Sequence, residues 1–117
     1  MYFKIKNHLA FLVLFVVSNI FAQQSKTVTI SGKIIDKEME FLPYVNVTIQ
    51  MKSTSEFVAG TITDDNGVFS LTNIKNGEYI IKYSFIGFKT KEEPLFVGEV
   101  SDFLDLGKIT LEEDISQ

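Results

Sequence analysis

The chain has 117 residues, enough for one domain built around one hydrophobic core. With 45% hydrophobic and 22% charged residues it lies far from the composition of disordered chains. It has no Cys, Trp or Arg, and His8 is its single histidine, so disulfides are excluded as a source of stability.

Residues 1 to 22 read as an export signal. Lys4 and Lys6 form a positive start, Leu9 to Val17 is an unbroken apolar run, and Ser18 and Asn19 break it. The run falls well short of the roughly 20 apolar residues that a membrane span needs. A small residue at Ala22 followed by Gln23 places the signal-peptidase cleavage between these two. The mature chain then keeps 9 Lys against 15 acidic side chains, a net charge of −6. Such a balance argues against nucleic acid, whose phosphates demand a basic face, and against anionic lipid.

From residue 25 the pattern is β throughout. Val28, Ile30 and Ile34 alternate with polar partners, as in a half-buried strand. Asp36 to Glu40 is a charged connection. Val45, Val47 and Ile49 mark a second strand, with Pro43 just ahead of it. Lys52 to Glu56 is a polar loop, and Phe57 to Thr63 a third strand. Asp64-Asp65-Asn66-Gly67 is the sharpest turn signal, with Gly67 expected at positive φ.

Val68 to Leu71 is a short fourth strand, and Asn76-Gly77 a second tight reversal of hairpin type. Tyr79, Ile81, Tyr83 and Phe85 share one face of the strongest strand, which Gly87 interrupts. Pro94 to Val97 is a weaker strand. Leu106, Ile109 and Leu111 form a last one, with Gly107 absorbing the break in alternation. No apolar segment keeps a helical period. Short strands at regular spacing, with turns between them, indicate a sandwich or barrel.

Three segments together resemble a known family: ISGKIID at 30 to 36 with LPYVNVTI at 42 to 49, TITDDNGVFSL at 61 to 71, and NGEYIIKYSFIGFKT at 76 to 90. They are similar to the carboxypeptidase regulatory-like domain. The resemblance implies an all-β, seven-stranded Greek-key β-sandwich, transthyretin-like or Ig-like and grouped with the carbohydrate-binding-like folds. It covers residues 27 to 111. The domain is expected at 25–112, with 113–117 as a linker or C-terminal tail.

The signal peptide, this domain and the ending DLGKITLEED also resemble the start of TonB-dependent outer-membrane receptors, in particular those of Bacteroidetes. There the domain precedes a plug and a barrel. The resemblance implies an exported protein at the periplasmic side of the outer membrane, with a protein partner or downstream receptor domains.

Chemistry is sparse. After cleavage no His or Cys remains to act as nucleophile, base or zinc ligand, so no catalytic residue, cofactor site or metal site is assigned and the chain is read as a non-enzyme. Asp64, Asp65 and Asn66 are oxygen-rich, but they lack the spacing of a calcium loop and suit a turn for backbone reasons. Asp36, Glu38 and Glu40 read as a solvated loop. Asn46-Val47-Thr48 matches a glycosylation acceptor in a mid-strand position.

Tyr44, Phe57, Phe88, Phe96 and Phe103 are aromatics with no clear place on the core face; they suit peripheral packing or a sugar surface. The leading function is therefore an accessory module acting by protein contact. Its rivals are a free-standing periplasmic or secreted carbohydrate-binding module and a regulatory domain beside a peptidase.

Overall fold

The structure, a computed structural model, describes residues 26–99 and 101–115. The signal segment, with Ala22 and Gln23, lies outside the described residues. Seven strands follow in chain order: β1 (Thr27–Ile35), β2 (Asn46–Met51), β3 (Phe57–Ile62), β4 (Val68–Lys75), β5 (Gly77–Ser84), β6 (Lys91–Val97) and β7 (Phe103–Thr110). They make two sheets, a three-stranded β4-β1-β7 and a four-stranded β3-β2-β5-β6. All pairs are antiparallel except β1 with β7, which run parallel. This is the seven-stranded β-sandwich that the family resemblance implied, and it settles the choice between sandwich and barrel that the alternation left open.

The period-two pattern decides what is buried. Val28, Ile30 and Ile34 of β1, with Phe69, Leu71 and Ile74 of β4, face Val47 and Ile49 of β2 and Tyr79, Ile81 and Tyr83 of β5. Each such side chain, fully removed from water, contributes about 1.5–3 kcal/mol. Gly32 sits among them on β1 because a Cβ there would lie 2.7 Å from the Phe69 ring. The glycine lets that ring rest on the strand, where it meets Tyr83 edge-on at 6.0 Å.

Three elements differ from the alternation reading. β4 continues past Leu71 to Lys75, because a register shift opposite β1 and a positive φ of 59° at Asn73 return Ile74 to the core. β6 begins at Lys91 and holds Pro94 in its middle, opposite Ile80. It is an edge strand, so the missing N–H breaks no ladder bond. Asn76-Gly77 is not a hairpin turn, since β4 and β5 belong to different sheets. Here the Tyr79 hydroxyl donates to the Lys75 carbonyl at 2.6 Å, pinning the crossover in the manner of a tyrosine corner. Gly107, at a φ of 73°, does absorb the break in β7, beside a register shift against β1.

The Asp64–Gly67 turn is likewise a corner between sheets. Asp64 Oδ1 accepts from the N–H groups of Asn66 and Val68, both at 2.9 Å. Gly67 has a φ of 74° and is buried, and a Cβ there would lie 2.5 Å from the Ile34 carbonyl oxygen. Thr63, just before the turn, is 1% exposed; its hydroxyl donates to the Leu42 carbonyl at 2.7 Å and accepts from the Val45 N–H at 2.9 Å. The Thr63 carbonyl takes the Tyr44 N–H at 3.0 Å. These bonds hold Tyr44 at a φ of 64°, a conformation unfavourable for a bulky residue.

The chain's course after β7 is also fixed by hydrogen bonds. Leu111 N–H donates to the Ile35 carbonyl, Lys89 N–H to Glu112 and Asp114 N–H to Gly87. Glu112 also lies 3.6 Å from the Lys37 ammonium and 3.9 Å from that of Lys89. Glu113 is bridged to Phe88, so the segment stays on the sandwich as far as Asp114.

Three stability measurements follow from these contacts. Gly67→Val should destabilise the domain by about 1–3 kcal/mol from backbone strain alone, before the clash with Ile34 is added. Asp65→Ala, whose side chain is exposed, should shift the denaturation midpoint far less. Thr63→Val should cost about 1–3 kcal/mol by stranding two buried backbone groups, and Thr63→Ser, which keeps the hydroxyl, clearly less.

The third concerns alkaline pH. Burial, and secondarily the negative charge of Glu93, push the Tyr83 phenol above the ordinary value of 10.0, and burial raises Tyr79 as well. A raised value in the fold means that stability from this source is intact below pH 10 and is lost as pH climbs beyond it. The Tyr83 hydroxyl has no hydrogen-bond partner among the described residues. Tyr83→Phe should therefore leave stability at pH 7 equal or higher, and flatten the decline measured by denaturant titration between pH 9 and 12.

Candidate functional site

The outward face of the four-stranded sheet carries two strongly exposed aromatics, Phe57 and Phe96. Strand alternation would place Phe57 on the same side as Ala59, which packs on the core. A register shift between Ile49 and Gln50 sets Phe57 opposite Gln50 instead. Its ring lies 3.5 Å from where a Gly60 Cβ would stand, so it covers that glycine from outside and is 67% exposed. Gln50 pairs with Ile80, and Ile80 with Pro94, so Phe57, Gln50, Ile80 and Pro94 form one row across the sheet. Phe96, 72% exposed, stands one pair further along β6, opposite Glu78.

Lys82 and Glu92 face each other on the other side of this row, giving it a polar margin. Beyond them Ile62 is exposed opposite Asn46. β3 itself, FVAGTI, has no charged residue and no proline along its free edge. The edge of β6, by contrast, carries Lys91, Glu92, Glu93 and Pro94, residue types that discourage further strand pairing.

The five aromatics left open by the sequence fall in four places. Phe57 and Phe96 lie on the outer sheet face just described. Phe96 and Phe103 also flank a shallow hollow with Val28, Val97 and Leu104, at the pole where β6 ends and β7 begins. Phe88 is half-buried against Phe85, with ring centroids 5.7 Å apart, and belongs to the packing. Tyr44 stands alone at the opposite pole, exposed beside the Thr63 corner. Its neighbour in sequence Phe41 lies under the Lys33 ammonium at 3.8 Å. The bulge that turns Phe57 outward was invisible to period-two counting.

The oxygen-rich segments are occupied by the backbone. Asp64 is engaged by its own turn. Asp36 Oδ1 accepts from Glu38 N–H at 2.8 Å and Glu40 N–H at 3.0 Å. No group of three metal-ligating side chains occurs among the described residues. Asn46 is exposed on the outer face of β2.

Comparison with known proteins places this geometry. The model of the CarboxypepD_reg-like domain matches residues 30–113. A curated relative, the TonB-dependent receptor P39 of Formosa agariphila, is 34% identical over 88 residues, covering 75% of this chain and 8% of the receptor. The chain thus spans less than a tenth of that relative.

Among solved structures, the Bacillus anthracis TIE protein superposes with a TM-score of 0.64 at 16% identity, over 75% of this chain and 17% of that one. The Klebsiella pneumoniae 5-hydroxyisourate hydrolase does so at 0.56 and 17% identity, over 76% of this chain and 90% of that one. The 3-chlorocatechol 1,2-dioxygenase of Rhodococcus opacus gives 0.60 at 13% identity, over 78% and 61%. At these identities the likeness is one of fold, and a fold that also serves enzymes does not by itself speak for or against catalysis. The matched segment includes the Thr63–Gly67 corner and the Tyr79 crossover, and with it the chain belongs to the carboxypeptidase regulatory-like domain family.

Proposed function

We propose that this domain is a non-catalytic accessory module of a TonB-dependent receptor-type protein, exported by a signal peptide cleaved after Ala22 and working by protein contact at the periplasmic face of the outer membrane. The observation that carries this reading is the 34% identity to a TonB-dependent receptor over the domain. The surface is consistent with it. Phe57, Ile80, Pro94 and Phe96 on one sheet face, with a charged margin, have the make-up of a protein-contact patch. With no His or Cys among the described residues, nucleophilic and zinc chemistry lack their usual side chains.

A second reading rests on the same aromatics. Exposed rings on a flat sheet can stack on sugar rings, which would make the domain a carbohydrate-binding module.

One pair of experiments separates the two. Deleting residues 26–115 from the receptor that contains them should leave the barrel assembled in the outer membrane, as judged by its heat-modifiable migration, while lowering uptake or signalling. Unchanged uptake would remove the accessory role. Glycan-array binding by the domain, lost in Phe57→Ala with Phe96→Ala, would instead establish the carbohydrate module.

A further inference from the structure

β1 and β7, the first and last strands among the described residues, lie side by side and run the same way. The chain therefore comes in at one pole of the sandwich and goes out at the other, about 30 Å away for a nine-residue strand. A pull on the chain before Lys26 and after Ile115 drags these two neighbours in opposite directions along their common axis. The bonds of the ladder then lie across the pull and share it. A pull that parts the same ends of the two strands would meet those bonds one at a time.

Several features oppose sliding along this seam. The ladder runs from Thr29↔Phe103 to Ile35↔Thr110, and is extended at both ends by Thr29 N–H to the Asp102 carbonyl and Leu111 N–H to the Ile35 carbonyl, each at 2.9 Å. The register steps at Gly107, between the pairs Ser31↔Asp105 and Lys33↔Lys108, so the strands cannot slip as uniform rails. Ile30, Ile34, Ile109 and Leu111 would leave the core on slipping. Ion pairs join the two strands' flanks at both poles, Lys26 with Asp102 and Lys37 with Glu112, each at 3.6 Å. Beyond β7, residues 112 to 114 are held to Gly87 and Lys89 of the four-stranded sheet's own loop, so the load at the exit is spread to the second layer.

We propose that the β1–β7 seam is a shear clamp, and that the domain bears tension applied between its two ends. A use for this property rests on the tethered-module reading above; the property itself does not.

Absence of cysteine allows two-thiol handles to be placed at will in the full 117-residue chain. Lys26→Cys with Ile115→Cys loads the seam in shear, and Glu38→Cys with Ile115→Cys peels it from the exit pole. All three sites are exposed. In single-molecule pulling at one speed, the shear pair should unfold at about twofold or greater force than the peeling pair, since forced unfolding reads the barrier along the loaded direction. Equal or lower force for the shear pair overturns the clamp. A strong clamp in a receptor whose uptake survives deletion of the domain would sink the receptor role and leave the clamp standing.

Discussion

One buried hydroxyl group, that of Thr63, ties together parts of the chain that the two sheets hold separately. It bonds to Leu42 and Val45 on either side of Pro43, and so fixes the way into β2. Four residues later Gly67 presses against the Ile34 carbonyl and accepts the Ile34 N–H at 2.8 Å, which fixes the start of β4 against the end of β1. Both sheets are therefore anchored at a single corner. Because Thr63 is buried, losing either bond would strand a backbone group away from water, and the arrangement is hard to loosen by degrees. The unfavourable φ of Tyr44 is tolerated there because the same threonine holds both that residue and the next.

Much of this was legible in the sequence. Alternation put Val28, Ile30, Ile34, Val47, Ile49, Ile81 and Tyr83 on the core side, and Asp64-Asp65-Asn66-Gly67 announced a positive-φ turn that the structure places at Gly67. What failed to show was tertiary. Asn76-Gly77 has the composition of a hairpin loop, but which sheet each flanking strand joins is set by partners far along the chain. Pro94 looked like a strand start because a proline breaks an inner ladder; only an edge position, known from the topology, makes it harmless. Phe57 could not be assigned to a face, since a bulge changes parity without leaving a mark in the pattern of residue types.

The candidate surface was legible to a lesser degree. The sequence left five aromatics without a clear place on the core face; three of them, Phe57, Phe96 and Phe103, are about two-thirds exposed or more, while Phe88 belongs to the packing. The row that Phe57 makes with Ile80 and Pro94, and the place of Phe96 beside it, needed strand register. The family resemblance was read from a different kind of signal, the corner at Thr63 to Gly67 and the strand start at Gly77 to Tyr79, whose task is to shape the fold. The outer sheet face has no part in that task, and the same fold occurs in a hydrolase, a dioxygenase and the Bacillus anthracis TIE protein.

The order in which strands find partners has a consequence for how the molecule assembles. β2 and β3 are chain neighbours and can pair as soon as both exist, and β5 with β6 likewise. The three-stranded sheet is different: its middle strand comes first, one flank arrives only with β4, and the other only with β7. Contacts this distant along the chain slow folding, because loops must close before burial rewards them. A chain made from its N-terminus therefore carries β1, with Val28, Ile30, Ile34 and Ile35, unpaired until later strands emerge. Ser31 and Lys33 on the strand's other face, with Lys37 and the three carboxylates of residues 36 to 40 just after it, offset the apolar face of the waiting strand. Closure of the fold is thus a late event, completed by the same strand that completes the domain.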